Sequence, residues 1–211
     1  MNVDALKQTR LTMSHSLESD ETLKLRLYRL LLQKYAELIN EKEHRTIGEI
    51  KDLVTSDDLT IQSILQDFRR ENYDFKKHYA DTAKRVFDFV ASEISFVEPG
   101  LNVNFWLNPK EIFSAKVADD EDLAVFLCSL LYGLGDTGAE VVIAELENLK
   151  THAFALTRHK GIFYILDPSQ THSFSHFSGT MEECLQNYNF LGAKIKRFLY
   201  KFNHSKYEQF L

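Results

Sequence analysis

The residues whose types and spacing could do chemistry are a few aspartates, one histidine and two cysteines. Asp119-Asp120-Glu121-Asp122 opens an apolar run from residue 123 to 134 that contains Cys128. His152 follows near the start of residues 151–157, Asp167 comes directly after residues 162–166, and Cys184 comes later. An imidazole beside a carboxylate is the base–orienter half of a nucleophilic triad. The carboxylate fixes the tautomer and stabilises the imidazolium. Its partner belongs at a helix N-terminus, where the dipole and free N–H groups favour a thiolate and can hold an oxyanion.

The elements that must position these groups are legible in outline. Residues 139–145, 151–157 and 162–166 are β-branched and aromatic runs bounded by turn residues, and read as three consecutive antiparallel strands. With 158–161 as a four-residue hairpin loop, and His159 in that turn, Thr157 pairs with Ile162. His152 then falls directly opposite Asp167 on one face. Residues 120–134 read as a buried helix stopped by Gly133 and Gly135, with Asp119 or Asp120 as its N-cap. Helices are also expected from Ser19 to about residue 40, over 46–55, after Ser56-Asp57-Asp58, over 81–96, near Pro109 and over 180–190. Residues 195–202 suit either a last strand or a helix. Pro99-Gly100 reads as a turn, and residues 1–18 show no periodicity.

Composition narrows the class. The chain has 211 residues, 44% hydrophobic and 27% charged, which suits one domain with a helical appendage. Its formal net charge of −6 gives it no electrostatic reason to bind nucleic acid. Arg69, Arg70, Lys76 and Lys77 therefore read as a solvated helix face. Two cysteines do not make a disulfide framework. No apolar run is long enough for a membrane span and no signal peptide is visible, so a cytoplasmic protein that does not engage membranes is expected.

The ordered combination of residues 89–135 with 151–169 resembles the transglutaminase-like superfamily of papain-like thiol enzymes. Trp106-x-x-Pro109-x-Glu111 is similar to the family's approach to its central helix. Ala118-Asp119-Asp120-Glu121-Asp122 aligns with its Gly-Asp-Cys-Glu-Asp, His152-Ala153-Phe154 with its histidine strand, and Asp167-Pro168 with its aspartate. The resemblance covers about residues 82–170. It implies an α+β fold: an N-terminal helical region (1–80), then a transglutaminase-like domain (81–211) in which a buried helix packs on an antiparallel sheet. It also implies a triad at Asp120, His152 and Asp167, with Trp106 lining the cleft.

One position departs from the family pattern, since Asp120 stands where the nucleophilic cysteine belongs. Cys128 does not replace it, because eight residues along a helix carry it roughly 12 Å away. An aspartate attacking an amide would give an unstable mixed anhydride. The expectation is a degenerate site, a pseudoenzyme whose cleft binds a peptide or protein partner, with no cofactor and no metal. Two alternatives stand beside it. Asp120, His152 and Asp167 could serve a hydrolase or acyltransferase by acid–base or metal-assisted chemistry. Or the N-terminal helices could be the active surface, which an exposed Leu/Tyr stripe over residues 20–40 would favour. His172 and His176 have the spacing of a helical metal pair, but the surrounding THSFSHFSG reads as a loop. The sequence leaves the oligomeric state open.

Overall fold

The computed structural model describes residues 20–69, 72–98, 100, 103 and 105–210. The expectations for residues 1–18, Ser19, Arg70 and Pro99 lie outside that set. The chain divides into two compact units. One is built on helix α1 (Asp20–Lys42) with residues 100–105, where Arg29 donates to the Gly100 carbonyl at 3.4 Å. The other comprises residues 44–99 and 106–211.

In this second unit, α2 (Ile47–Asp52) starts with a Thr46/Glu49 capping box, and Asp58 caps α3 (Leu59–Phe68) by accepting from the Thr60 and Ile61 N–H groups. α4 (Phe75–Glu93) starts six residues before the sequence signal, because Asp74 supplies its N-cap. α5 (Pro109–Ala115) has proline in its first turn and an Asn108/Glu111 capping box. Lys116 ends it in a left-handed conformation (φ 58°). Two short strands with no sequence signal, β1 (Ser95–Phe96) and β2 (Val117–Ala118), pair in parallel and aim the chain into α6 (Asp120–Gly133).

α6 is apolar on every side and buried from Asp122 to Leu131, as a helix with core all round it must be. It packs on α3 and α4 on one side and on strands β3 (Glu140–Leu146) and β4 (Thr151–His159) on the other. Arg69 donates to the Gly133 carbonyl at its end. The sheet continues through β5 (Ile162–Leu166), β6 (Phe177–Gly179), β7 (Asn189–Phe190), β8 (Ala193–Phe202) and β9 (Tyr207–Gln209), in the order β6-β5-β4-β3-β8-β7 with β9 on β8. Residues 195–202 are thus strand, and α7 (Met181–Asn187) is the helix expected after residue 180.

The pleat of β4 separates two cores. Ala153 and Ala155 face α6, whereas Phe154 and Leu156 join Ile165, Phe177, Tyr188 and Phe190 on the opposite face. Small residues facing α6 let the helix approach the sheet closely.

The hairpin register differs from the sequence expectation. β4 and β5 are joined by two residues, Lys160 and Gly161, with φ of 50° and 87°, as a two-residue hairpin turn matched to strand twist requires. His159 is therefore the last residue of β4, paired with Ile162, and Ala155 pairs with Leu166. The slip relative to a four-residue loop is two residues. Because side chains alternate with period two, His152 and Asp167 keep the same face and become diagonal neighbours.

Candidate functional site

Three elements bring Asp120, His152 and Asp167 together. Asp119, not Asp120, caps α6: its carboxylate accepts the Asp122 N–H at 3.0 Å. Asp120 is thereby the first helical residue, with its side chain free to point away. β5 ends opposite Ala155, so β4 lacks a neighbour on that edge at Ala153. Asp120 Oδ2 fills the gap, accepting the Ala153 N–H at 2.7 Å. The same oxygen lies 2.9 Å from His152 Nδ1, and His152 Nε2 lies 2.9 Å from Asp167 Oδ2. One imidazole thus bridges two carboxylates. The ring is 2% exposed and stacks on Phe190 at 3.7 Å between centroids.

Asp167 is the more deeply anchored of the two carboxylates. Its Oδ2 also accepts from Tyr188 Oη at 2.7 Å and Gln170 Nε2 at 2.6 Å. Its Oδ1 accepts from Ser169 Oγ at 2.6 Å and Ser169 N–H at 3.1 Å. Burial pushes the Asp167 carboxyl up, but the hydrogen bond to His152, its charge and the Ser169 and Gln170 donors outweigh it and hold the pKa below the usual value. Burial alone would push His152 down. The hydrogen bonds to Asp120 and Asp167 and the charges of both outweigh it, so its pKa rises to about 9 and it is an imidazolium at neutral pH.

Tyr188, Gln170, Ser169 and Phe190 were not anticipated as parts of this site. A partial signal existed for Ser169 and Gln170, since an aspartate at a strand end commonly takes donors from the next two or three residues. Tyr188 and Phe190 arrive from α7 and β7, and nothing in the local sequence points to them.

The acidic run around Asp120 is unevenly satisfied. Burial, then the neighbouring carboxylates, raise Glu121 to about 7 and Asp122 to about 8. Asp122 Oδ1 accepts the Leu107 N–H at 2.9 Å, whereas its buried Oδ2 has no partner. Trp106, just before Leu107, packs edge-on against Phe202 at 6.2 Å in the core around α6.

Neither thiol partners His152. Cys128 is fully buried in α6, and burial raises its pKa well above the usual value. Cys184 Sγ lies 3.5 Å from the Phe163 and Phe177 carbonyls, and burial raises its pKa too. His172 and His176 stack at 4.2 Å in the loop before β6, with His172 Nε2 3.2 Å from Gln170 Oε1. Among the described residues, no group of three or more histidine, cysteine, aspartate or glutamate side chains is arranged to hold a metal ion.

A cleft of about 680 Å³ borders the site. Ser95 and Phe96 of β1 form one wall, and Ser169, Gln170 and His172 form the other. Phe96 meets Phe190, the ring stacked on His152, at 6.1 Å. Gln170 is shared between the cleft wall and the Asp167 cluster.

No family model and no curated protein matches the sequence. Among solved structures, the chain is similar to LapG of Legionella pneumophila. The EGTA-treated form matches with a TM-score of 0.50 and 14% identity over 83% of this chain and 86% of that one. A second LapG structure matches with a TM-score of 0.50 and 13% identity over 82% and 87%. The fold is α+β, an N-terminal helical region followed by a core similar in fold to LapG. No helix among the described residues is long and apolar enough to cross a membrane.

Proposed function

We propose that this chain is a transglutaminase-like pseudoenzyme, in which Asp120 occupies the nucleophile position and the adjoining cleft binds an extended peptide or protein segment. The observation that carries this reading is the state of His152. A general base needs a free ring nitrogen and a pKa near the working pH. Here both nitrogens face carboxylate oxygens, and the pKa stands at about 9. No thiol is in place to be activated. The family's thiolate–imidazolium pair is replaced by a carboxylate–imidazolium pair, which keeps the fold's charge pattern without a nucleophile able to leave a stable acyl intermediate. Phe96 and the hydroxyl and amide groups of Ser95, Ser169 and Gln170 offer the mixed apolar and polar wall that suits a peptide backbone.

Restoring the thiol tests the assignment. In Asp120→Cys, iodoacetamide should alkylate residue 120 with a thiolate pKa well below the ordinary ~8.5. Adding His152→Ala should return that pKa to the ordinary range. Wild-type protein should not cleave labelled casein or transfer an amine onto a glutaminyl peptide. Wild-type turnover that His152→Ala abolishes would overturn the reading, as would an Asp120→Cys thiol indifferent to His152.

A second reading, an interaction scaffold acting through its N-terminal helix, is favoured by one observation. The Leu/Tyr surface of α1 is exposed, with Leu25 at 68% and Leu30 at 58%.

A further inference from the structure

The cleft wall that carries Ser169, Gln170 and His172 is a strap. Residues 168–173 line the cleft and belong to no helix or strand. The strap is fixed at both ends. Asp167 is the buried carboxylate of the site, and Phe174 is buried against Phe87 and Tyr164, at 6.1 Å and 5.1 Å between ring centroids. Two further contacts hold it in between. Near its start, Gln170 Nε2 donates to Asp167 Oδ2. At its far end the His172 ring lies flat on the His176 ring, 4.2 Å away and 1° from parallel. Phe177 meets both rings edge-on, at 5.1 Å and 4.5 Å, and blocks them from sliding inward.

A proton acts on these two contacts differently. Because Gln170 turns its amide nitrogen to Asp167, its oxygen faces His172 Nε2 at 3.2 Å, and that ring nitrogen must carry a hydrogen. A further proton enters at Nδ1 and leaves the Gln170 link intact. It also makes the ring a cation, and one imidazolium stacked flat on another sets like charges face to face. Burial first, and then the charge of His176, hold the His172 pKa below the ordinary 6.5, against the opposing pull of Asp167. Asp167 is the carboxylate that acts on the pair. Asp88 of α4, across the cleft, pairs with Lys84 at 3.0 Å, and Glu183 of α7 accepts the Thr180 N–H at 2.7 Å.

We propose that the His172–His176 stack is an acid-released latch on the cleft wall. When both rings are protonated the stack parts, and Thr171, His172 and Ser173 swing while Ser169 and Gln170 stay on Asp167. The consequence for binding rests on the cleft being the binding surface proposed above. The latch itself is read in the ligand-free protein, so the two can fail separately.

NMR titration of the full chain from about pH 8 to about pH 4.5 tests this, following the histidine rings and the backbone amides. Rings in contact should take up their protons in two steps about one pH unit or more apart. The nuclear Overhauser contact between the two rings should vanish at the second step. The Thr171 and Ser173 amides should shift with it, and the Ser169 and Gln170 amides should hold. His176→Phe keeps a flat ring against His172 and removes the second proton. In that variant His172 should titrate in one step at higher pH than in wild type, and the contact between the rings should persist throughout. Independent titration of the two wild-type rings near the ordinary 6.5 would overturn the proposal. So would a ring contact that survives the second step, or one lost equally in His176→Phe. Global unfolding before the second step would overturn it too, since a latch must open within the folded protein.

Discussion

At the scale of the residue, the two carboxylates around His152 are not equivalent. Asp167 is about 1% exposed and accepts five hydrogen bonds, whereas the Asp120 side chain is 19% exposed and accepts one backbone N–H besides facing the imidazole. An asparagine at 167 cannot satisfy donors converging on both oxygens, since its amide nitrogen must point at some of them. It also leaves a buried imidazolium short of its deeper counter-ion. Asp167→Asn should cost about 3–5 kcal/mol of unfolding free energy, the range for breaking one partner of a buried pair. Asp120→Asn can keep its carbonyl oxygen on the Ala153 N–H, and should cost about 1–2 kcal/mol. Urea unfolding of the two variants at pH 7 checks the order. Equal losses would mean that Asp120 anchors the fold as Asp167 does, and would remove the reason to regard it as standing in for a nucleophile.

At the scale of the element, the hairpin joining β4 and β5 shows what the sequence could and could not convey. The strand runs, the His152 position and the Asp167 position were legible from residue types, and so was their common face. The turn length was not, because Arg158 and His159 can belong to a loop or a strand with equal ease. The face survived because the slip was even. β1, β2, β6, β7 and β9 are two or three residues long, too short for a periodic signal, yet β2 aims Asp120 and β7 places Phe190 on His152. The Asp119 cap illustrates a different limit: either of two adjacent aspartates could cap α6, and the sequence left both open. The turn itself is testable. Gly161 has a φ of 87°, and a Cβ built there meets nothing within 4 Å. Gly161→Val should therefore cost about 1–2 kcal/mol from backbone strain alone, while Lys160→Gly should be neutral or slightly stabilising. A larger loss, accompanied by a changed His152 pKa in NMR titration, would show that the turn alone holds the register.

At the scale of the whole molecule, the carboxylates clustered at the start of α6 and the imidazolium beside them act on stability in the same direction. His152 titrates at about 9 in the folded protein against an ordinary 6.5. Its contribution is therefore complete below pH 6.5 and is lost as pH rises through about 9. Glu121 and Asp122 hold their protons to about 7 and about 8, whereas unfolded chains release them near 4.5 and 3.8. Each withdraws stability as pH climbs through its own window. Asp167 acts oppositely, since its lowered pKa contributes stability above 3.8 that is lost only in stronger acid. Together these set a maximum in mild acid and a continuous decline towards pH 9. Asp122 should dominate the slope, because its Oδ2 is buried without a partner and ionisation there gains nothing from a donor. Asp122→Asn keeps an acceptor for the Leu107 N–H and cannot ionise. Its melting temperature should match wild type near pH 5 and exceed it at pH 9 by about 6–10 °C, which corresponds to roughly 3 kcal/mol in a chain of this size. Thermal melts of both proteins from pH 4 to 9.5 decide the matter. A constant offset at every pH would mean that Asp122 is already ionised in mild acid, and that a donor reaches its second oxygen.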